Sequence, residues 1–280
     1  MTVPEPNPDR VLAANVALHS SLAGVYNERE PHFRPENRAK VRAIVETLAD
    51  EVGGGRLLDL GCGTGFIIDL AHDLFADVHG IDITPAMLGR VDRSRANVHL
   101  HEGRCEALPF ETGSFSAVTA YSFLDHVFDP AAILREAARV LRPGGRMYVD
   151  LVPNRAFWGA IAEAGRDGCF PRSPAIGREL EALDHKQAEI EREFGLAPGT
   201  FALAEPSKNI GRGMDAGEVL EQARASGFRD ARVEPHWFLG EALLLHGPEA
   251  GDVAVIDRYL RGSLPVTLPL FKYLRFHLTR

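Results

Sequence analysis

One ten-residue segment restricts the fold of this chain more than any other. Residues 57–66, LLDLGCGTGF, run from a short apolar stretch into three alternate glycines and then into a segment with helical periodicity. Glycine adopts backbone conformations with positive φ and lets a ligand approach the main chain closely. In doubly wound sheets, the turn between the first strand and its helix is where nucleotide-like ligands bind. The segment therefore predicts a site for a nucleoside-type ligand.

Strand and helix patterns alternate on both sides of this segment. Apolar runs predict strands, and a 3.6-residue period predicts helices. The predicted helices are 10–26, 36–50, 66–75, 86–93, 130–141 and 215–226, and the predicted strands are 56–60, 77–81, 98–101, 115–120, 146–152, 228–234 and one within 237–246. This order predicts βαβ units, and hence an α/β fold with a doubly wound, mostly parallel sheet.

The alternation is interrupted after residue 153. Residues 154–213 are rich in proline and carry one charged helical segment, at 175–194. We therefore expect four parts: an N-terminal helical cap (1–40), a ligand-binding core (41–153), an inserted lid (154–213) and a C-terminal completion of the core sheet (214–280). The tail at 264–280 mixes apolar and basic residues. It either touches a membrane surface or packs on the body as a terminal strand or helix, and we favour packing.

Composition excludes several classes of protein. Of the 280 residues, 45% are hydrophobic and 25% are charged, which is ordinary for a globular protein. The net charge of −8, with no basic block, argues against a nucleic-acid partner. No stretch approaches the roughly 20 apolar residues of a membrane span, and the proline-rich start is not a signal peptide. The three cysteines suit a reducing compartment, so we expect a cytoplasmic protein; a homodimer stays open.

A carboxylate, Asp82, follows the glycine loop in the chain. Asp82 ends the second predicted strand, where it can accept hydrogen bonds from both ribose hydroxyls of a nucleoside. The glycine spacing is G-x-G-x-G, whereas dinucleotide sites have G-x-G-x-x-G. Asp59, just before the loop, would repel a phosphate but suits the ammonium group of a methionine moiety. These features favour S-adenosylmethionine (SAM) over a nicotinamide dinucleotide.

Further motifs follow in order along the chain. They are Leu108-Pro109-Phe110 with Gly113-Ser114-Phe115, Leu134-Arg135-Glu136, and the run RVLRPGG at 139–145. Together with the glycine loop and Asp82, they resemble the class I SAM-dependent methyltransferases over roughly residues 41–152. The likeness is greatest to the small-molecule branch that includes the ubiquinone/menaquinone-biosynthesis type. It implies a Rossmann-like, seven-stranded fold and transfer of a methyl group from SAM to a small-molecule acceptor, leaving S-adenosylhomocysteine.

The resemblance also implies which residues bind SAM. Gly61 and Gly63 would lie against the methionine part, Asp82 would hold the ribose, and Ile83 and Met87 would pack on the adenine. The full set of expected contacts is Tyr26, Asp59, Gly61, Gly63, Asp82, Ile83, Met87, Arg104, Cys105, Glu106 and Tyr121.

One position departs from the family pattern. Arg104 stands where relatives usually have an aspartate that accepts the adenine amine, and arginine offers no acceptor. The contact then falls to Glu106, a carbonyl or water, while Cys105 keeps the backbone role. Tyr121 ends the fourth strand, where a backbone carbonyl of the family meets the methionine ammonium.

His126 is the candidate general base for the methyl acceptor. It follows the fourth strand and has Asp125 beside it, and histidine is the usual general acid or base of enzymes; the alternative is a positioning role. His19, Tyr26 and His32 belong to an N-terminal segment that either folds over SAM as a lid or forms a solvated loop.

The acceptor pocket itself is less defined by the sequence. Phe157, Trp158, Trp237 and Phe238 either line an apolar pocket or serve the core. Histidine spacing predicts no metal.

The acceptor atom stays open among oxygen, nitrogen and carbon. A phenolic or quinone-like natural product is favoured, because a histidine base suits a hydroxyl group. Two alternatives compete with a small-molecule methyltransferase. One is a catalytically silent SAM-binding regulatory or scaffold subunit, which the intact glycines and Asp82 disfavour. The other is an NAD-dependent oxidoreductase, which the glycine spacing disfavours.

Overall fold

The computed structural model describes residues 5–167, 187–245 and 250–280. Its strands are β1 (Arg56–Leu60), β2 (Asp77–Asp82), β3 (Val98–Glu102), β4 (Phe115–Tyr121), β5 (Leu141–Pro153), β6 (Asp230–Phe238) and β7 (Phe271–Thr279). Its helices are α1 (Pro8–Leu22), α2 (Tyr26–Arg29), α3 (Pro35–Val52), α4 (Phe66–Ala71), α5 (Pro85–Leu88), α6 (Pro130–Val140), α7 (Arg155–Asp167), α8 (187–193), α9 (Thr200–Ala204), α10 (Pro206–Asn209), α11 (Ala216–Ala225), α12 (Glu241–Leu245) and α13 (Val253–Gly262).

The strands form one sheet in the order β3-β2-β1-β4-β5-β7-β6. The first five are parallel, and β7 runs antiparallel to both β5 and β6. Parallel neighbours need crossover connections: α4 joins β1 to β2, α5 joins β2 to β3, and α6 joins β4 to β5. The predicted α/β fold with a mostly parallel, seven-stranded sheet is confirmed. Strand order changes direction between β1 and β4, which leaves a crevice at their carboxyl ends.

Apolar side chains cover both faces of the sheet. Successive residues of a strand point to opposite faces, so Leu57 packs in the cluster with α3 and α4, and Leu58 in the cluster with α6 and α11. Both leucines are fully buried. Burying one such side chain contributes about 1.5–3 kcal/mol to stability.

Local capping fixes where the covering helices begin. The side chain of Asp129 accepts a hydrogen bond from Ala132 N at the start of α6, and Asp215 accepts from Gly217 N and Glu218 N at the start of α11. These two helices therefore begin close to their predicted positions.

A second layer lies over the crevice. We call residues 5–34 and 187–213 the cap layer. Its two parts pack on each other through buried Leu18 and Leu22 of α1 and Leu203 and Ala204 of α9. The N-terminal segment and the insertion therefore form one cover rather than two separate flaps.

The C-terminal region contains one wrong prediction. Over its described part, 237–245, the further strand expected within 237–246 does not form, because β6 ends at Phe238 and α12 begins at Glu241. Gly240 turns the chain with φ +86°, and the Glu241 carboxylate accepts from Phe238 N at 3.1 Å, which closes the turn. The seventh strand is β7, inside the tail that we expected to pack as a strand or helix.

Other element bounds differ less from the predictions. The helices predicted at 66–75 and 86–93 end earlier, at Ala71 and Leu88. After Leu88 come Gly89 and a turn in which Asp92 accepts from Ser94 N. Part of the helix predicted at 175–194 lies outside the described residues, and 187–193 are helical. No helix among the described residues is both long enough and apolar enough to cross a membrane.

Candidate functional site

A cavity opens at the carboxyl ends of β1, β2 and β4, beneath the cap layer. It encloses about 960 Å³, counting space that is open to solvent. Its position is the switch point of strand order, where open α/β sheets bind ligands. Among the residues expected to bind the cofactor, all except Arg104 line it: Tyr26, Asp59, Gly61, Gly63, Asp82, Ile83, Met87, Cys105, Glu106 and Tyr121.

The glycine loop closes onto Asp82. Gly63 N donates to Asp82 Oδ2 at 2.9 Å, and Thr84 N donates to Oδ1 at 2.8 Å. Gly61 has φ +63°, and a Cβ at this position would lie 2.1 Å from Cδ2 of Phe123. Only glycine fits there, so the loop main chain itself forms a wall of the cavity. The loop and the carboxylate, which the sequence places apart, are one unit.

Asp59 places a second carboxylate in the wall. The residue is only 2% exposed, and Thr119 Oγ1 donates to its Oδ1 at 2.7 Å. Burial raises the pKa of Asp59 to about 7, the Thr119 hydrogen bond opposes this shift, and the nearby Asp82 charge adds to it. One hydrogen bond offsets only part of the cost of burying this charge, so the carboxylate favours a cationic group in the adjacent space.

The far side of the crevice is mainly apolar. Ile83, Met87 and Cys105 line it, with Glu106 at its edge. Arg104 turns outward: its side chain is 44% exposed, and its guanidinium lies 3.5 Å from the Glu106 carboxylate. Arg104 can therefore influence this edge only through Glu106, because its own side chain does not reach the cavity.

An aromatic cluster joins the core to the cap layer. The ring of Tyr121, at the end of β4, lies 4.9 Å from that of Phe66 and 5.5 Å from that of His32. Tyr26 lies 6.0 Å from His32. Burial lowers the pKa of His32 to about 4, so this ring is neutral near pH 7. The N-terminal segment therefore covers the cavity as a packed element rather than as a solvated loop.

His126 lines the cavity from the turn Leu124–His126 after β4. Its Nδ1 lies 3.1 Å from the carbonyl oxygen of Ala204 and 3.2 Å from Oδ1 of Asn15. Both partners are acceptors, so Nδ1 carries the proton and Nε2 of the neutral ring carries the lone pair. This is the arrangement that a general base requires.

Buried charges surround His126. Oδ1 of Asp125 lies 3.8 Å from Nε2 of His126 and accepts no hydrogen bond from the described residues. Burial raises the pKa of Asp125. Nζ of Lys208 donates to Glu205 at 2.8 Å, and Asn209 donates to the same carboxylate. One partly exposed ammonium thus lies near two buried acidic side chains.

The same carboxylates form a group that was not expected from the sequence. Ligand atoms of Asp125, His126 and Glu205 all lie within 4.8 Å of one another, close enough to share a metal ion. However, Lys208 already supplies a positive charge at Glu205. Glu205 is distant from the other two in the chain, so histidine spacing could not reveal the group.

Asn15 is a second residue that the sequence interpretation missed. It is 4% exposed and lies on the buried side of α1 with Val11, Leu18 and Leu22. The sequence does contain a signal for Asn15: it is a polar residue at helical spacing within an apolar stripe. Because buried polar groups need specific partners, such a residue indicates a specific hydrogen bond.

For Phe157, Trp158, Trp237 and Phe238 the sequence left two alternatives, an apolar acceptor pocket or the core, and the structure does not support the pocket. Phe157 and Trp158 are 0% and 3% exposed and pack with Ile161 and Leu239. None of the four predicted aromatic residues lines the cavity. Helix α7 places its apolar face against the sheet end, so Phe157 and Trp158 belong to the core.

Comparison with known proteins identifies the family. Residues 58–149 match the methyltransferase domain family. The chain is 32% identical over 197 residues to a probable S-adenosylmethionine-dependent methyltransferase of Mycolicibacterium smegmatis, covering 68% of this chain and 74% of that protein. It is 37% identical over 123 residues to a ubiquinone biosynthesis O-methyltransferase of Xanthomonas oryzae pv. oryzae, covering 42% of this chain and 51% of that relative.

A solved structure supports the fold independently. The S-adenosylmethionine-dependent methyltransferase of Mesorhizobium loti matches 91% of this chain and 100% of its own, with a TM-score of 0.52 and 18% identity. The fold is therefore Rossmann-like, as expected. The glycine loop, Asp59, Asp82 and the apolar far wall suit the methionine chain, the ammonium group, the ribose and the adenine of SAM, in that order. These findings overturn the oxidoreductase alternative: the chain belongs to the SAM-dependent methyltransferase family, and its methyl donor is S-adenosylmethionine.

Proposed function

We propose that this methyltransferase acts on a hydroxyl group of a small, partly apolar molecule, with His126 as general base. The observation that carries the proposal is the hydrogen bonding of Nδ1, which leaves the Nε2 lone pair of a cavity-lining ring available. The relatives named as ubiquinone biosynthesis O-methyltransferases support an oxygen acceptor of phenolic or quinone-like type.

The chain's residues would contribute mainly alignment and proton removal. SAM supplies an electrophilic methyl group, so no acid is needed for its departure. His126 Nε2 takes the hydroxyl proton as the oxygen attacks, and the nearby carboxylate of Asp125 stabilises the resulting imidazolium. The cap layer limits water access to the cavity, which favours transfer to the acceptor.

We also propose roles for the cofactor side of the cavity. Asp59 faces the methionine ammonium, Gly61 and Gly63 present their main chain to the methionine part, and Asp82 holds the ribose hydroxyls. Ile83, Met87 and Cys105 pack around the adenine with Glu106 at its edge, and Tyr26 and Tyr121 cover the methionine end. Arg104 would act only by orienting Glu106.

An acceptor panel tests the chemical class. Phenols, amines and activated carbon acids are incubated with enzyme and SAM, and S-adenosylhomocysteine release is measured. We expect the enzyme to turn over phenols. In the His126→Gln variant, turnover should fall by about 10²–10⁴-fold while SAM affinity stays unchanged. Substitution of the exposed His99 serves as the control. Turnover only with amines, or full activity of His126→Gln, would contradict the proposal; no product from any acceptor would support the silent subunit.

The ribose role has its own matched pair of variants. Asp82→Asn removes a charge at the end of β2 that faces the cavity, and Asp77→Asn removes one at the exposed start of the same strand. Calorimetry should show SAM affinity at least about 10-fold weaker for Asp82→Asn, since hydrogen bonds to charged groups contribute about 1.5–3 kcal/mol. Asp77→Asn should bind normally. Equal affinities for the two variants would rule out the ribose role.

A further inference from the structure

We propose that Asn15 is a positioning residue for His126, through which the cap layer sets the proton and the orientation of the base. This inference rests on the proposed function of His126. The side-chain hydrogen bonds of Asn15 go to Val11 and to His126, so its proposed effect is exerted through the imidazole ring.

The amide of Asn15 has a defined orientation. Its Nδ2 donates to Val11 O at 3.0 Å and to the main-chain oxygen of His126 at 2.9 Å. Because both amide protons are directed at carbonyl oxygens, Oδ1 is the atom that faces Nδ1 of His126, at 3.2 Å. Asn15 therefore holds both the main chain and the ring of His126.

The ring's other Nδ1 partner also comes from the cap layer. It is the carbonyl oxygen of Ala204, at the end of α9. Neither of the two Nδ1 acceptors belongs to the sheet or its crossover helices. The core therefore supplies the imidazole, whereas α1 and α9 together determine which of its nitrogens is protonated.

Packing alone does not explain an asparagine here. Residue 15 lies between Val11 and Leu18 on the buried stripe of α1, where leucine would bury more apolar surface. A buried amide is costly unless its hydrogen bonds are made. Two of the three side-chain bonds go to His126, so the asparagine serves that residue more than it serves the helix.

The neighbouring histidine is also fixed by this residue. The main-chain oxygen of Asn15 accepts from Nδ1 of His19, whose ring centroid lies 5.1 Å from that of His126. Burial, and then the closeness of His126, lower the pKa of His19 to about 4. His19 is therefore neutral near pH 7 and adds no positive charge beside His126. The titratable groups around His126 are Asp125 on its own turn, His19 on α1, and Glu205 and Lys208 from the insertion.

Two substitutions at one position test the inference. The Oδ1 atom of Asn15 stabilises the protonated ring of His126 more than the neutral ring, and Asn15→Leu removes this acceptor. Asn15→Asp replaces the amide with a carboxylate, which should stabilise the protonated ring further. In ¹⁵N-histidine NMR spectra of the full-length protein, the titration midpoint of His126 should move to lower pH in Asn15→Leu and to higher pH in Asn15→Asp, by about 0.5–1 pH unit each. His126→Gln assigns the signal.

Turnover should follow the same pattern. We expect kcat of Asn15→Leu to fall at least about 10-fold, as for other residues that orient a catalytic base, with SAM affinity unchanged. The acid limb of its pH profile should move with the NMR midpoint. Leu18→Ala, which loosens the same helix without touching His126, is the structural control. Should Asn15→Asp fail to fold, Asn15→Leu and Leu18→Ala still decide the question.

The outcomes separate the two proposals. Unmoved midpoints, or a shift in Asn15→Leu equal to that in Leu18→Ala, would overturn the role of Asn15. If the midpoints move as expected but His126→Gln keeps full activity, the positioning of the ring stands and the base assignment fails.

Discussion

The core and the cap layer line the same cavity with different chemistry. The core, at the ends of β1, β2 and β4, contributes main-chain groups of the glycine loop and the carboxylates of Asp59 and Asp82. The cap layer contributes neutral histidines, Tyr26 and the amide of Asn15, and places the buried ion pair of Lys208 with Glu205 beside them. The core groups lie close together in sequence, whereas the cap groups contact residues far away in the chain, as Asn15 contacts His126 across more than a hundred residues.

This difference predicts different sensitivities. The core site depends on backbone geometry within a tightly packed sheet, so a single added methyl group should damage it. The cap layer depends on which of its buried groups are charged, so pH and removal of a charge should affect it most.

The largest effect is expected in the glycine loop. Gly61→Ala places a Cβ at positive φ and 2.1 Å from Phe123, which should lower the free energy of unfolding by about 3 kcal/mol and abolish SAM binding. Gly144→Ala is the matched control, because Gly144 also has positive φ (+80°) but a Cβ there meets nothing within 4 Å. The free energy of unfolding of Gly144→Ala should fall by only about 1 kcal/mol. Chemical denaturation and calorimetry measure both quantities, and similar losses in the two variants would contradict the steric argument.

Lys208→Met tests the charges that hold the cap layer. The Lys208 side chain is 23% exposed and pairs with Glu205, whose carboxylate raises the pKa of Lys208 although burial opposes the charge. Leaving Glu205 unpaired should lower the free energy of unfolding by about 3 kcal/mol.

The exposed pair of Arg29 with Glu193 provides the comparison, since it also joins the N-terminal segment to the insertion. Its side chains are 40% and 51% exposed. Arg29→Met should therefore change the free energy of unfolding measured with denaturant far less than Lys208→Met does. Equal costs for both variants would mean that the cap layer does not depend on its buried charge.

Acid should weaken the cap layer through His32. This histidine titrates at about 4 when folded and about 6.5 when unfolded. Below pH 6.5 the unfolded chain binds a proton that the folded chain does not, so stability is complete above pH 6.5 and declines as pH falls towards 4. The decrease in the free energy of unfolding that is due to His32 should reach on the order of 3 kcal/mol.

His32→Phe removes the titrating group within an aromatic surrounding and should flatten the decline in melting temperature between pH 6.5 and 4. A substitution of exposed His99 should leave the decline unchanged. If His32→Phe shows the same acid dependence as the parent protein, burial of a neutral His32 is not what makes the structure sensitive to acid.

The predictable parts of this protein are those encoded by short-range patterns. Strands β1 to β5, the glycine turn and Asp82 follow from local periodicity and spacing, and their positions agree with prediction to within a few residues. The strand expected within 237–246 failed because an apolar run does not distinguish a strand from a helix such as α12. The four aromatic residues could not be assigned to a cavity or to the core from the sequence, because aromatic residues alone do not reveal which of the two they face.

By itself the sequence determined the cofactor side: a strand, a glycine turn and a carboxylate within one βαβ unit require only neighbouring residues to take up their geometry. Only the tertiary structure decided the acceptor side. Asn15, His126, Ala204 and Lys208 lie in separate segments, and no local pattern records that their hydrogen bonds converge. The glycine segment at 57–66 lines the cavity proposed for the methyl donor, whereas His126, the proposed base, is oriented by contacts that exist only after the cap layer has packed on the core.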